Sequence, residues 1–273
     1  MLIPNPWDVG SAKLLASLGF QALATTSGGF AATLGRLDGR VTRDEALAHA
    51  ARIATAVDVP VSADLENCFA HEPAGVAQTV ERAIAAGLCG CSVEDFTGDP
   101  QAPLYPLALA AERVAAAAEA AHGGPVHLVL TARAENHIRG VTDLQDTIER
   151  LRAYEHAGAD VLFAPGLTSA DDIRQVLESV RLPLNVVTRA GLPSVAELGA
   201  LGVRRISVGQ AFAYGAYGAL LEAGHELLEV GTYGFLDRAA AGVKAGEAAF
   251  AGGSRPGLQK SPAKPHQIVT TGP

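Results

Sequence analysis

The sequence predicts an α/β fold, a (β/α)8 barrel of the TIM type, and three observations predict it. Eight short β-type runs recur along the chain, Ala-rich helical segments separate them, and the alternation fits into about 210 residues. Strict alternation of strand and helix requires a parallel sheet. A doubly wound open sheet is the alternative, and the lack of a GxGxxG turn after the first run weakens it.

The runs are LIPN near 2–5, QALATTS at 21–27, VPVSADL at 59–65, GCSVED at 90–95, VHLVLTARA at 126–134, DVLFAPG at 160–166, LPLNVV at 182–187 and RRISVG at 204–209. Between them, TRDEALAHAARIATAV, EPAGVAQTVERAIAAG and TDLQDTIERLRAYEHAG read as helices. Thr42 with Glu45 three residues on makes a capping box, and Gly87 and Gly158 stand where helices end. After the eighth run the chain continues as helix over roughly 210–251, more than one barrel-closing helix needs, so the excess is expected to pack on a partner subunit. Residues 1–252 form one expected domain. Residues 253–273, rich in Pro, Gly and polar side chains, read as a flexible tail.

The chain has 273 residues, 48% hydrophobic and 18% charged, enough for a sizeable core. Its net charge of −8 argues against nucleic acid or an anionic membrane as partner. No apolar run reaches membrane-spanning length, and the N-terminus lacks a basic signal-peptide region. The three cysteines, Cys68, Cys89 and Cys91, make no disulfide framework, so a reducing cytoplasm is the expected setting.

In a barrel, functional groups gather where the strands end. Strand two ends in Ser27-Gly28-Gly29, strand three in Asp64-Leu65-Glu66-Asn67, strand four in Glu94-Asp95 and strand five in Arg133-Ala134-Glu135-Asn136; Asn185 lies on strand seven and Asp38 in the loop after strand two. Asp64 and Glu66, two apart, share a face if extended. Several carboxylates at one mouth repel one another unless a cation or raised pKa values relieve them, and an all-oxygen set favours Mg²⁺ or Mn²⁺ over zinc. Read singly, each carboxylate is as well explained by a helix cap or an ion pair. Glycines let an anion approach the backbone, and an arginine binds a carboxylate through its fork. Cys89 and Cys91 read as barrel packing, and the eight histidines suggest no metal-binding pair.

The segments NPWDVGSAKLLASLGFQALATTSGG, PVSADLEN, CSVEDF, LTARAENH and PLNVV, in this order, resemble the isocitrate lyase/phosphoenolpyruvate mutase superfamily from residue 4 to about 210. The resemblance implies a barrel whose last helix is exchanged between subunits of a homodimer or homotetramer. It implies Mg²⁺-dependent cleavage or formation of a C–C or P–C bond in a small 2-oxo or 2-hydroxy acid, through an enolpyruvate-type species. Asp64 resembles the direct metal ligand. Asp38, Glu66 and Glu94 resemble carboxylates that hold metal-bound waters. Ser27, Gly28 and Gly29 resemble the substrate-carboxylate cradle, Arg133 the arginine at the oxo-acid group, and Asn185 a pocket-lining residue.

The loop after strand four, FTGDPQAPLYPLALAAERV, lacks the Lys-Lys-Cys-Gly-His segment of isocitrate and methylisocitrate lyases. APLY and FAPGL stand where phosphonopyruvate-acting relatives place Lys, Asn, His and Ser. A C–C lyase or decarboxylase of a di- or tricarboxylic acid is therefore the leading expectation. A phosphonopyruvate hydrolase or mutase and a catalytically silent 2-oxo-acid-binding protein stand as alternatives. Tyr105 and His137 are positional candidates for the acid–base group. Cys68 lies outside the lyase loop and is expected to be incidental.

Overall fold

The computed structural model describes residues 1–251; the tail expected at 253–273 lies outside the described residues. The chain begins β1 (Leu2–Ile3), α1 (Val9–Ser17), β2 (Leu23–Ala24), α2 (Ser27–Thr33), α3 (Arg43–Ala56), β3 (Val61–Asp64), α4 (Pro73–Ala85) and β4 (Gly90–Glu94). It continues with α5 (Leu107–His122), β5 (Val129–Arg133), α6 (Leu144–His156), β6 (Val161–Phe163), α7 (Ala170–Ser179) and β7 (Leu184–Val187). It ends with α8 (Val195–Leu201), β8 (Arg205–Ser207), α9 (Ala211–His225) and α10 (Leu236–Ala251). All eight expected runs contain a strand. Each strand is shorter than its run, because only the paired middle meets ladder geometry.

Every ladder is parallel, in the order β1-β8-β7-β6-β5-β4-β3-β2, a nearly closed (β/α)8 barrel. At the seam between β1 and β2 the Ala24 N–H donates to the Pro4 carbonyl. Buried Asn5 staples the same seam. Its amide donates to the Thr25 carbonyl, and its oxygen accepts from the Val208 and Gly209 N–H groups at 2.8 and 2.9 Å.

Along each strand one set of side chains faces the helices. Ala63, Cys91, Val93, Leu130, Ala132, Leu162, Leu184, Val186 and Ile206 belong to it, all in one apolar core. The alternate set, including Asp64, Ser92, Arg133, Asn185 and Ser207, faces the interior. The Thr42–Glu45 capping box forms as expected, and Gly87 and Gly158 end their helices at φ 79° and 99°. Cys91 is buried in the core, but Cys89, which precedes β4, is exposed, and this corrects its reading as barrel packing.

Past β8, α10 packs against α1, where the Phe250 ring reaches Gly10. The segment from α9 to α10 exposes Leu220, Leu221, Leu228, Val230, Tyr233 and Val243. Among the described residues, no helix is long and apolar enough to cross a membrane.

Candidate active site

The site is built where β2, β3, β4 and β5 end. Ser27-Gly28-Gly29, expected as a strand-end turn, opens α2 instead, because the Thr26 hydroxyl caps the helix by accepting from the Gly29 N–H. The Thr25 hydroxyl accepts from the Asp64 N–H at 2.9 Å, which locks β2 to β3. Ser27 then donates both its N–H and its hydroxyl to Asp64 Oδ2, at 3.1 and 3.0 Å. Gly28 lines the cavity between Gln210 and Asp38; a Cβ there would fall 2.1 Å from the Gln210 oxygen. Gly29, the third residue expected in the cradle, does not line the cavity. It is packed where a Cβ would strike Thr26, Trp7 and Ala213, and its N–H is used by the cap.

Arg133 holds the other side. Its Nη1 meets Asp64 Oδ1 at 2.9 Å, its Nη2 meets Glu94 Oε2 at 3.1 Å, and Nε and Nη2 fork onto Glu135 Oε1 at 3.0 and 2.8 Å. Arg139 joins Glu94 and Glu135 from behind, stacked over Phe96. Burial works against the Arg133 charge, but Glu135, Glu94 and Asp64 more than offset it and hold the guanidinium protonated. Burial, then Glu135, pushes the Glu94 carboxyl well above its ordinary range. Glu135, fully buried, stands at the strand-five end as read from the sequence, but its part in the clamp is given only by the structure.

Glu66 departs from its expectation. β3 stops at Asp64, and Glu66 lies in a left-handed turn at φ 51°, so a sharp turn and not strand periodicity brings it beside Asp64. Its Oε1 is buried without a hydrogen-bond partner, and burial, then Asp64 and Asp38, raises its pKa to about 8. Asp38 belongs to an exposed loop, yet its carboxylate lines the cavity, and local desolvation followed by Asp64 raises its pKa. Five carboxylates (Asp38, Asp64, Glu66, Glu94 and Glu135) therefore surround two guanidiniums (Arg133 and Arg139).

This excess of negative charge, the orphan Glu66 oxygen and the all-oxygen donor set fit a hard divalent cation. The four carboxylates Asp38, Asp64, Glu66 and Glu94 do not converge as a tight triad, an arrangement that suits a cation keeping several waters. The convergent triad among the described residues is His122, His127 and Asp160, at the opposite end of the barrel. The two rings stack 4.2 Å apart, and both Nε2 atoms meet Asp160. The expectation that no histidines pair is corrected there, because Asp160 comes from a strand start more than thirty residues away.

A cavity of about 540 Å³ opens at this mouth, with Ser27, Gly28, Asp38, Asp64, Arg133 and Asn185 in its lining. Glu66 and Glu94 stand behind that surface. The structure adds Gln210, Tyr214 and Arg205, which sequence reasoning passed over. Arg205 was discernible: it is in phase with Ser207, while Ile206 carries the core-facing phase. Tyr105 and His137 do not line the cavity. Tyr105 is buried beneath the Arg113 guanidinium and bonded to His71 Nδ1, and the neighbour of His137, Ile138, faces the cavity in its place. Behind α2, His49 stacks on Phe30 at 3.8 Å, and burial lowers its pKa to about 4, so it supports the helix as a neutral ring.

Cys68 is fully buried in a left-handed turn at φ 58°, and burial pushes its thiol up to about 12, far from a reactive thiolate. Asp95 is also structural. Its oxygens accept from the Glu135 N–H, from Arg150 at 3.1 Å and from the Tyr154 hydroxyl.

The same architecture recurs in known proteins. A crystal structure from Burkholderia cenocepacia, provisionally described as a lyase/mutase, superposes with TM-score 0.89 at 49% identity, covering 92% of this chain and 91% of that one. The structure of 2,3-dimethylmalate lyase, a PEP mutase/isocitrate lyase superfamily member, matches with TM-score 0.77 at 30% identity over 86% of this chain and 84% of its own. Oxaloacetate decarboxylase of Bradyrhizobium sp. is 31% identical over 212 residues, 74% of this chain and 70% of the relative. The profile of the family described as phosphoenolpyruvate phosphomutase matches residues 1–228, and the chain belongs to that family, within the PEP mutase/isocitrate lyase superfamily.

Proposed function

We propose that the protein is a Mg²⁺-dependent lyase or decarboxylase. It would cleave a C–C bond in a small 2-oxo or 2-hydroxy di- or tricarboxylic acid through an enolpyruvate-type species. The observation that carries this reading is the contact of Arg133 with Asp64 beside Ser27 and Gly28 in one cavity. Asp64 would hold the cation directly, with Asp38, Glu66 and Glu94 acting through water. Bound there, Mg²⁺ would neutralise negative charge developing on the substrate's oxo-acid oxygens. Arg133, fixed by three carboxylates, presents a guanidinium to the same charge without reorganising. Ser27 and Gly28 receive the substrate carboxylate, and Asn185, bonded to Ser207 at 3.0 Å, orients the other end.

The loop after β4 gives a specific reason to keep a silent 2-oxo-acid-binding protein in view. It is tied down by the Phe96–Leu104 bridge and by the bond from the Thr97 N–H to the Pro103 carbonyl. Its residues 96–105 carry no cysteine, lysine or histidine.

Pyruvate release from oxaloacetate, 2-methylisocitrate and 2,3-dimethylmalate, with Mg²⁺ and with EDTA, is the test. Turnover of one member, lost in EDTA, is expected. Tight binding without turnover would select the silent reading, and phosphate or phosphoenolpyruvate formed from phosphonopyruvate would select P–C chemistry.

The exposed apolar face of α9 to α10 is further proposed to be covered by a second copy of the chain, with α10 exchanged in a dimer or tetramer. Light scattering at micromolar concentration is expected to show no monomer; a monomeric protein would overturn it.

A further inference from the structure

TIM-barrel interiors are ordinarily filled by branched apolar side chains. Here the inward layer one pleat below the mouth is polar: Ser62, Ser92, Thr131, Asn185 and Arg205 all line the cavity. Arg205 is the only charge in that group, and it is held by neutral acceptors. Its Nε donates to Asn185 Oδ1 at 2.9 Å and its Nη2 to Thr131 Oγ1 at 2.8 Å. Among the described residues Nη1 has no protein acceptor and no carboxylate pairs with the side chain. The contrast is with Arg133, Arg139 and Arg150, each tied to at least two acids. Burial draws the Arg205 pKa down to about 10, so it remains charged at neutral pH.

A desolvated guanidinium without a counter-charge is costly to keep, unless an anion completes it. Thr131 precedes Arg133 by two residues on β5, on the same inward face, so the Arg205 fork meets β5 one pleat, about 7 Å of strand, below the Arg133 backbone. Two guanidiniums in the lining of one cavity match an acid with an anionic group at each end.

We propose that Arg205 forms a second anion subsite on the cavity floor, which takes the distal anionic group of the substrate and selects dianionic acids of four or more carbons. The proposal rests on the lyase reading, because that reading places the oxo-acid end at Arg133. The subsite reads charge and a planar fork, so either a carboxylate or a phosphonate satisfies it; the probes separate the two.

Binding of oxalate, 3,3-difluorooxaloacetate and phosphonopyruvate would be measured by calorimetry with Mg²⁺ on the wild type, Arg205→Met and Arg205→Lys. Thermal midpoints would be recorded without metal or ligand. Oxalate is too short to reach Arg205 and should bind Arg205→Met within about threefold of wild type, whereas difluorooxaloacetate should bind about 30-fold more weakly or worse. Arg205→Lys should restore part of the loss, because it keeps the charge without the fork. A phosphonate occupant would show the same Arg205 dependence for phosphonopyruvate, and its failure to show it would leave the carboxylate as occupant.

The metal-free midpoint of Arg205→Met should equal or exceed that of wild type, because the variant removes a desolvated charge. Equal weakening of oxalate and difluorooxaloacetate, no weakening of either, or a lowered midpoint would each overturn the proposal and leave Arg205 as a prop for Asn185. A wild type that binds neither oxalate nor difluorooxaloacetate would overturn the lyase reading beneath it.

Discussion

Arg133→Ala is expected to lower kcat/KM by about 10³-fold or more and to destabilise the metal-free protein by about 3–5 kcal/mol. Both effects have one origin. The guanidinium sits between Asp64, Glu94 and Glu135, and its side chain is only 13% exposed. Removing it leaves buried like charges facing one another, with Glu94 already pushed upward by burial. The loss of stability should therefore be partly recovered on acidification, as those carboxylates take up protons. The sign follows from the raised Glu94 pKa. A group whose folded pKa is raised contributes stability at low pH and loses it as pH climbs through the folded value.

Arg133→Lys keeps a charge but cannot fork onto Glu135 while reaching Asp64 and Glu94, so it should retain more stability than activity. Urea melts at two pH values together with steady-state kinetics check this. An alanine variant as stable as wild type would refute the clamp.

The second large effect is a contrast between two neighbours. Asp64→Ala is expected to abolish Mg²⁺-dependent turnover, a fall of about 10³-fold or more, whereas Cys68→Ser should keep most of it. Asp64 is the hub where Ser27, Ser92 and Arg133 converge, so its loss removes the central carboxylate of the mouth and releases α2 at once. The Cys68 sulfur, packed in the apolar core, makes a hydrogen bond to the Ser92 carbonyl at 3.8 Å, and its thiol is held protonated. Magnesium titrations of activity in the two variants, with folding checked by circular dichroism, separate the roles. If the cysteine change proved the more damaging, the metal-carboxylate reading of this stretch would be wrong.

The barrel was legible because its evidence is local. Period-two runs separated by helical segments leave few topologies, and a parallel barrel puts every strand end on one face. Asp64, Glu94 and Arg133 could therefore be brought to one mouth by reading strand ends alone, and the structure places them in contact. The strand-end turn at Ser27-Gly28-Gly29 and the extended placing of Glu66 were misread for equally local reasons. The Thr26 cap turns an apparent strand-end turn into a helix start, and a left-handed residue after β3 breaks the period that was extrapolated through it.

Sequence by itself determined the architecture, the end of the barrel where the candidate site lies and the kind of donor atoms there, because these depend on spacing along the chain. Only the tertiary structure decided which charge meets which. Arg133 reaches Asp64 across 69 residues and Arg205 reaches Thr131 across 74. Such contacts depend on how the sheet curls shut and on which face each pleat turns inward, and both are set by long-range packing and not by any local pattern.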